Sequence, residues 1–201
     1  MTTTHDSYDR LAEAYTRHLA GELAGKPFDR EALDRFAEAV WQDGWVCDAG
    51  CGPGHVGAYL ADRGARVVGL DDSLLMLRHA GGVERVRADF SALPLRALAG
   101  IVAFYAIVHL LPAELEGVFR EWRRALRPGG RLLLAFHVGE EVVHRDELWE
   151  TPVSLDFVFH LTVPVTASLA RAGFQVLEAR ERDPYPEVEY PSRRAYVVAR
   201  V

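Results

Sequence analysis

A group of glycines followed by a distant carboxylate is the part of this sequence whose spacing most directly indicates chemistry. The stretch VCDAGCGPGHVG covers residues 46–57. Within it Gly52, Gly54 and Gly57 are spaced as G-x-G-x-x-G, and Asp71 follows nineteen residues after Gly52. This is the dinucleotide-binding fingerprint, in which the glycines admit a pyrophosphate to a helix N-terminus and the acid binds a ribose hydroxyl. In this register the ligand would be NAD or NADP.

The same stretch supports a second register, in which Asp48 precedes Gly50, Gly52 and Gly54. Asp48 falls at the end of the first predicted strand, where its charge would repel a pyrophosphate but would suit a ligand that carries an ammonium group. Glycine lets the backbone approach such a ligand closely, because it has no Cβ. The two registers predict different cofactors, and the surrounding elements must separate them.

Strand patterns alternate with helical patterns around this loop. The predicted strands are Trp45–Ala49 and the segments ARVVGLDDS, ERVRADF, GIVAFYAIVHL and RLLLAFHV. A helix is predicted over His55–Arg63, ended by Gly64, and a second over Leu74–His79, capped by Ser73. A third helix is predicted to stop at RPGG. The alternation predicts an α/β fold with a Rossmann-like, doubly wound, mostly parallel seven-stranded sheet.

The two ends of the chain depart from this alternation. Two amphipathic helices are predicted before the first strand, the second with Asp29 placed to cap it. Residues 139–163 predict an extra extended segment over a pocket, and the last two strands, joined by the proline-rich DPYPEVEYPS, predict an antiparallel pair. We expect one domain, residues 1–201, comprising a helical cover (1–44), a cofactor-binding core (45–138), an acceptor-side insertion (139–163) and a terminal helix with a hairpin (164–201).

Composition narrows the class of protein. With 23 basic and 29 acidic residues the net charge is −6, which disfavours nucleic acid and anionic membranes as partners. No apolar run suits a signal peptide or a membrane span, so a cytoplasmic monomer or homodimer is expected. Cys47 and Cys51 are interpreted as reduced packing residues, with a disulfide or a metal site as alternatives, and we expect no metal because no nearby His or Cys completes a ligand set.

Several motifs together resemble a known family. VCDAGCGPG, then VVGLDDS with Met76 after it, then RADF, then ALRPGG before a strand are similar to the class I S-adenosylmethionine-dependent methyltransferases of the small-molecule type. The likeness runs from about Tyr8 to Phe136. Each motif alone is weak, whereas the combination is specific. The resemblance implies transfer of a methyl group from S-adenosylmethionine to a small-molecule O, N, S or C nucleophile.

The resemblance also implies roles on the cofactor side. The glycines of the second register, Gly50, Gly52 and Gly54, would bring backbone to the amino acid part and the ribose, with Asp48 beneath them. Asp71 would accept both ribose hydroxyls, and Asp89 would meet the adenine amino group. The remaining members of this cofactor site are Ser73, the apolar ring neighbours Met76 and Phe90, and the N-terminal tyrosines Tyr8 and Tyr15, with ordinary packing as the alternative for the last four.

Residues after the fourth and fifth predicted strands lie where the family places the acceptor. Tyr105, His109 and His137 are the catalytic candidates, a histidine acting as general base if the nucleophile must lose a proton. A structural histidine with satisfied hydrogen bonds is the alternative. The insertion contributes the substrate candidates Trp149, Phe157, Phe159 and His160, for which a simple cover or a dimer contact is the alternative.

Two other functional classes compete with a methyltransferase. One is an NAD(P)-dependent oxidoreductase built on Gly52, Gly54 and Gly57, which a pocket shared by Asp48 and Asp89 would disfavour. The other is a catalytically silent S-adenosylmethionine-binding module, which a blocked or very small acceptor pocket would favour.

Overall fold

A computed structural model describes residues 3–40 and 44–201. Residues 1, 2 and 41–43 of the predicted helical cover lie outside the described residues. The strands are β1 (Trp45–Ala49), β2 (Arg66–Asp71), β3 (Glu84–Arg87), β4 (Leu98–Phe104), β5 (Leu126–Val138), β6 (Val142–Leu148), β7 (Thr151–Val158), β8 (Gln175–Arg182) and β9 (Arg193–Arg200). The helices are α1 (Thr4–Leu19), α2 (Pro27–Val40), α3 (His55–Ala61), α4 (Leu74–His79), α5 (Leu115–Ala125) and α6 (Thr162–Arg171).

Seven strands form one sheet in the order β3-β2-β1-β4-β5-β9-β8. The pairs among β1 to β5 are parallel, whereas β9 runs antiparallel to both β5 and β8. The predicted fold class is therefore confirmed, including the antiparallel terminal strand. The chain runs outward from β1 through β2 to β3 and then returns to β4 on the other side of β1, which creates the switch point where such sheets bind ligands.

Apolar clusters cover both faces of the sheet. On one face α5 and α6 bury side chains that include Phe119 and Trp122. On the other face α2 and α3 bury Leu33, Phe36 and Leu60. Burial on both faces explains the continuous apolar runs of β1 and β4, because strands of parallel sheets face helices on each side.

A separate two-stranded hairpin lies outside this sheet. β6 pairs antiparallel with β7, and a third apolar cluster joins them to α1 and α4. The Ser154 N–H donates to the Ser7 Oγ of α1 at 3.1 Å, which ties the hairpin to the N-terminal helix. The extended segment predicted within residues 139–163 is thus a hairpin that contacts α1.

Two local predictions are wrong, and a third is right only in part. The fourth strand ends at Phe104, and a 3-10 helix, Ala106–His109, takes the rest of its apolar run, because periodicity alone does not separate a buried strand from a buried turn. The helix before RPGG ends at Ala125 as predicted, but β5 already begins at Leu126 and includes RPGG. Asp29 lies inside the first turn of α2, where its carboxylate accepts hydrogen bonds from Arg182 and Tyr196 instead of capping the helix.

Two further features bear on the expectations from composition. Cys47 and Cys51 are free and buried. No helix in the described ranges is long and apolar enough to cross a membrane.

Candidate active site

The glycine loop connects β1 to α3 at the carboxyl end of the sheet. Gly50, Gly52 and Gly54 have φ angles of +71°, +51° and +78°. A Cβ at Gly54 would lie 2.7 Å from the Ala80 Cβ, and one at Gly50 would lie 2.8 Å from the Ala106 Cβ. Gly57, by contrast, lies inside α3 without a positive φ. The left-handed positions therefore follow the second register, with Asp48 in front.

Asp71 holds the glycine loop in place from the end of β2. Its Oδ2 accepts from the Gly52 N–H and its Oδ1 from the Ser73 N–H, both at 2.8 Å. Burial raises the pKa of this carboxyl above its ordinary value. An ionised carboxylate has about four acceptor sites, so two remain for a ligand above the loop.

The other predicted cofactor residues have different surroundings. Asp89 is exposed, and its Oδ1 accepts from the Ser91 N–H at 2.7 Å. The Phe90 ring lies 3.7 Å from the position that a Gly50 Cβ would occupy, so it borders the loop. Ser73 caps α4 by accepting from the Met76 N–H, and the Met76 side chain is only 1% exposed within the cluster under α1. Met76 is thus a core residue in this structure.

A cavity of about 430 Å³ lies next to this loop, at the ends of β4 and β5. Helix α1, the hairpin and the chain before β9 line it. Tyr15 connects the cavity to the loop, because its ring lines the cavity and lies 3.7 Å from where a Gly52 Cβ would be. The structure brings seven of the predicted site residues to this cavity: Tyr8, Tyr15, Tyr105, His137, Trp149, Phe157 and Phe159.

His109 lies behind Tyr8 and does not line the cavity. Its Nδ1 is 2.8 Å from the Asp156 carbonyl oxygen, which can only accept, so Nδ1 carries the proton. The Tyr8 hydroxyl, 2.7 Å from Nε2, therefore donates to it. Burial lowers the pKa of His109, which keeps the ring neutral. His109 can reach a ligand in the cavity only through Tyr8.

His160 is not brought to the cavity, contrary to the expectation that it would contact the substrate. The side chain is 3% exposed, and Nε2 lies 3.2 Å from the Ile107 carbonyl oxygen. The period-two pattern that placed it beside Ser154 and Asp156 breaks where β7 ends at Val158. Its hydrogen bond and burial are those of a structural histidine.

His137 and Tyr105 form the wall of the cavity at the ends of β5 and β4. His137 stacks on Phe159 with ring centroids 4.9 Å apart, and its Nδ1 lies 2.7 Å from the Ser192 Oγ. Burial, aided by the charges of Arg194 and Lys26, lowers the pKa of His137 to about 3. Tyr105 has a left-handed backbone, with φ of +56°, which turns the chain from β4 into the cavity wall.

Comparisons with known proteins point to one family. Residues 47–134 match the model of a methyltransferase domain. The chain is 33% identical over 150 residues to a malonyl-[acyl-carrier protein] O-methyltransferase of Pseudescherichia vulneris, covering 72% of this chain and 57% of the relative. It is 36% identical over 141 residues to a trans-aconitate 2-methyltransferase of Azoarcus sp. strain BH72, covering 67% of this chain and 51% of the relative. The chain therefore spans between half and three fifths of these curated relatives.

A solved structure agrees over almost the whole fold. The structure of DhpI in complex with S-adenosylhomocysteine superposes with a TM-score of 0.73 at 23% identity, covering 96% of this chain and 92% of the other. Residues 47–134 thus carry a methyltransferase domain, and the described chain has the fold of the class I S-adenosylmethionine-dependent methyltransferases. Its left-handed glycine register is the one that the resemblance implied.

The residues around the loop fit the cofactor of a class I methyltransferase. Apart from the chain neighbours of Gly52, the Tyr15 ring is the only group of the described residues within 4 Å of a Cβ built there, so an aromatic side chain bounds the space over the loop. Asp71 has acceptor sites to spare at one end of that space. Asp48 lies beneath the loop with an Oδ2 that has no hydrogen-bond partner among the described residues.

Sequence reasoning missed a buried ionic cluster beside the methyltransferase cavity. Glu189 accepts two hydrogen bonds from Arg182, at 2.6 and 2.9 Å, and lies 3.3 Å from the Arg194 Nε. Lys26 contacts Glu22 at 2.5 Å and Glu189 at 3.7 Å. Although burial opposes ionisation, the bonds from Arg182 and the Tyr185 N–H hold the pKa of Glu189 at about 2.

The sequence carries only a weak signal of this cluster. Arg182 precedes and Arg194 follows the segment DPYPEVEYPS, which contains Glu189. Asp29 and Arg182, which are bonded to each other, are more than 150 residues apart. A loop rich in proline and charge is usually solvated, and nothing local indicates that this one folds inward.

Asp48 should make the stability of the methyltransferase depend on pH. The carboxyl is 2% exposed, and burial raises its pKa from 3.8 to about 7. The folded protein therefore binds this proton more tightly than the unfolded chain, so the contribution of Asp48 to the free energy of unfolding falls as pH rises from about 4 to about 7. Asp48→Asn removes that loss. The free energy of unfolding of the variant, relative to that of the parent, should therefore be higher at pH 8 than at pH 5 by roughly 1–3 kcal/mol.

Urea unfolding of both proteins at the two pH values measures this difference. Asp62→Asn, at the exposed C-cap of α3, is the matched control and should show the same difference at pH 5 and pH 8. An Asp48→Asn effect that does not change with pH would contradict burial of an ionisable carboxyl under the loop.

Proposed function

We propose that this protein transfers the methyl group of S-adenosylmethionine to a small-molecule acceptor bound in the cavity. The observation that carries the proposal is the position of Tyr15, which borders both the glycine loop and the cavity. A donor held over the loop and an acceptor held in the cavity would then face each other across this side chain.

The bound S-adenosylmethionine supplies a methyl group on a positively charged sulfur, which is an excellent leaving group. The chain has to orient the acceptor in line with that methyl group, and orientation supplies much of the rate in such reactions. Trp149, Phe157 and Phe159 suit this task because all three are aromatic and line the cavity, the first two from the hairpin and the third from just after it. Tyr8 is held by its hydrogen bond to His109, which makes His109 a positioning residue.

The size of the cavity supports an enzyme over a silent binding module. About 430 Å³ lies within the range of small-molecule sites, so the acceptor side is neither blocked nor very small. The curated relatives are named for different acceptors, a malonyl-[acyl-carrier protein] and trans-aconitate, so their names do not define one acceptor for this chain.

Parallel calorimetric titrations test the cofactor. We expect micromolar binding of S-adenosylmethionine and S-adenosylhomocysteine and no heat from NAD or NADP. The competing register of Gly52, Gly54 and Gly57 requires the reverse pattern, so binding of a nicotinamide nucleotide alone would overturn the proposal. Binding of the first two with no turnover against any acceptor would favour the silent module.

A further inference from the structure

We propose that the acceptor carries a carboxylate, which Arg145 and Arg194 bind inside the cavity, and that the product is a methyl ester. This inference rests on the proposed function, because it names the class of molecule that the same cavity takes. It begins from the charges that line the cavity.

Arg145 is a half-buried cation that has no acidic partner. It lies on β6, lines the cavity, and its guanidinium carbon is 6.0 Å from the centre of the Tyr190 ring. In the part of the chain that the structure describes, no carboxylate pairs with it. A cation that is partly removed from water without a counterion is a site where an anionic ligand gains more than it would in solvent.

Arg194 provides a second, deeper cation. It is 2% exposed and lines the cavity, and its Nε has no hydrogen-bond partner among the described residues although Glu189 Oε1 is 3.3 Å away. Its Nη1 is held by the Tyr190 and Ser192 carbonyl oxygens. Because Nε is buried against Glu189 and Nη1 is occupied, Nη2, for which no partner is seen among the described residues, is the nitrogen that can donate to a carboxylate oxygen of a ligand.

The acids at the cavity are paired with other cations and leave Arg145 uncompensated. Glu22 contacts Lys26, and its other oxygen lies 2.9 Å from His55. Glu189 and Asp29 are both bonded to Arg182. The three acids therefore pair with three cations, Lys26, Arg182 and Arg194. Arg145 is the one positive charge among the described lining residues that this pairing does not neutralise.

The side chains that could act as bases are poorly suited to remove a proton from an acceptor. The low pKa of His137 makes it a weak base, and the Nε2 of His109 is occupied by the Tyr8 hydroxyl. A carboxylate needs no base, because it is already ionised at neutral pH. This matches a cavity that supplies cations and aromatic walls, and in which neither of the two histidines predicted to be catalytic is poised as a base.

The reaction balances without any further reagent. The carboxylate oxygen forms a bond to the methyl carbon as the carbon–sulfur bond breaks, and the electron pair of that bond stays on sulfur. A carboxylate and a sulfonium become a neutral ester and the neutral thioether of S-adenosylhomocysteine. No proton is released, and the cavity loses the anion that its cations held.

The experiment uses radiolabelled S-adenosylmethionine with 3-phenylpropionate, hexanoate and hexanedioate, each beside its primary amide. Methyl esters release labelled methanol in alkali, whereas N-methyl, C-methyl and ether products do not. We expect alkali-labile product from at least one carboxylate and none from the amides. Base-stable product only, or no product from any carboxylate while S-adenosylhomocysteine binds, would overturn the inference. Failure to bind S-adenosylhomocysteine would instead overturn the proposed function.

Arg145→Met and Arg145→Lys test the cation itself. Arg145→Met keeps much of the aliphatic stem and should raise KM for the best carboxylate at least tenfold, with Arg145→Lys in between. Calorimetric affinity for S-adenosylhomocysteine should stay within twofold in both, which shows that the fold is intact. Arg78→Met, which removes the same charge from the exposed surface of α4, is the control and should change KM less than twofold. An unchanged KM in Arg145→Met would contradict the assignment.

Discussion

Replacing Asp71 by alanine should weaken the binding of S-adenosylhomocysteine by about 100-fold or more, which corresponds to roughly 3 kcal/mol. The carboxylate has two tasks at once. It accepts from the Gly52 and Ser73 N–H groups at 2.8 Å, and its free acceptor sites face the space where the ribose hydroxyls are proposed to bind. Each hydrogen bond to a charged group contributes about 1.5–3 kcal/mol, so the loss of ligand contacts together with the loss of loop order is large.

Calorimetric titration of the purified variant measures this effect. Asp72→Ala is a matched control, because the neighbouring carboxylate is 60% exposed and its side chain pairs with His5 instead of the loop. The control should bind S-adenosylhomocysteine within about threefold of the parent, since an exposed ion pair contributes less than about 1 kcal/mol. If Asp71→Ala binds as the parent does, Asp71 does not belong to the cofactor site.

Gly54→Ala should lower the free energy of unfolding by about 2–5 kcal/mol. The residue has a φ of +78°, where a Cβ costs about 1–2 kcal/mol. The added Cβ would also lie 2.7 Å from the Ala80 Cβ and 3.0 Å from the Ala80 Cα, and overpacking of this kind costs about 1–3 kcal/mol. The backbone at Ala80 follows α4 directly, so neither side of the contact can withdraw without moving an element that holds the site.

Urea unfolding of the variant gives the stability change directly. Gly117→Ala is the matched control, because Gly117 lies in α5 with nothing within 4 Å of an added Cβ. Alanine in a helix is favoured over glycine, so the control should gain up to about 1 kcal/mol. A Gly54→Ala protein as stable as its parent would contradict the close packing of the loop on Ala80.

Features that depend on near neighbours were predictable from the sequence. Ser73 caps α4 as expected, since a capping hydroxyl needs only the backbone N–H three residues later. The left-handed glycines, the alternation of strands and helices, and the antiparallel end of the sheet also follow from local spacing and turn chemistry. The seven-stranded fold and the family resemblance could both be predicted because they depend on patterns within short stretches of the chain.

Features that depend on which distant segments meet were predicted less well. The sequence predicts His109 for the acceptor side, but its partners are Tyr8 and Asp156, 101 and 47 residues away, and they turn the ring from the cavity. The alternating pattern places His160 in a strand that faces the substrate, whereas in the tertiary structure its ring is buried with Nε2 next to the Ile107 carbonyl oxygen. Asp89 remains a prediction for the adenine amino group, with an exposed side chain that caps a turn.

The sequence by itself determined the element order, the glycine register and the family resemblance of this protein, because backbone conformation at glycine and the periodicity of buried side chains are properties of short stretches of chain. The tertiary structure alone decided which charges are buried together, that Arg145 has no acidic partner among the described residues, and that the pKa values of Asp48 and His137 lie far from their ordinary values. Those properties follow from desolvation and from distances between residues far apart in sequence, such as Asp29 and Arg182, and they exist only once the chain has folded.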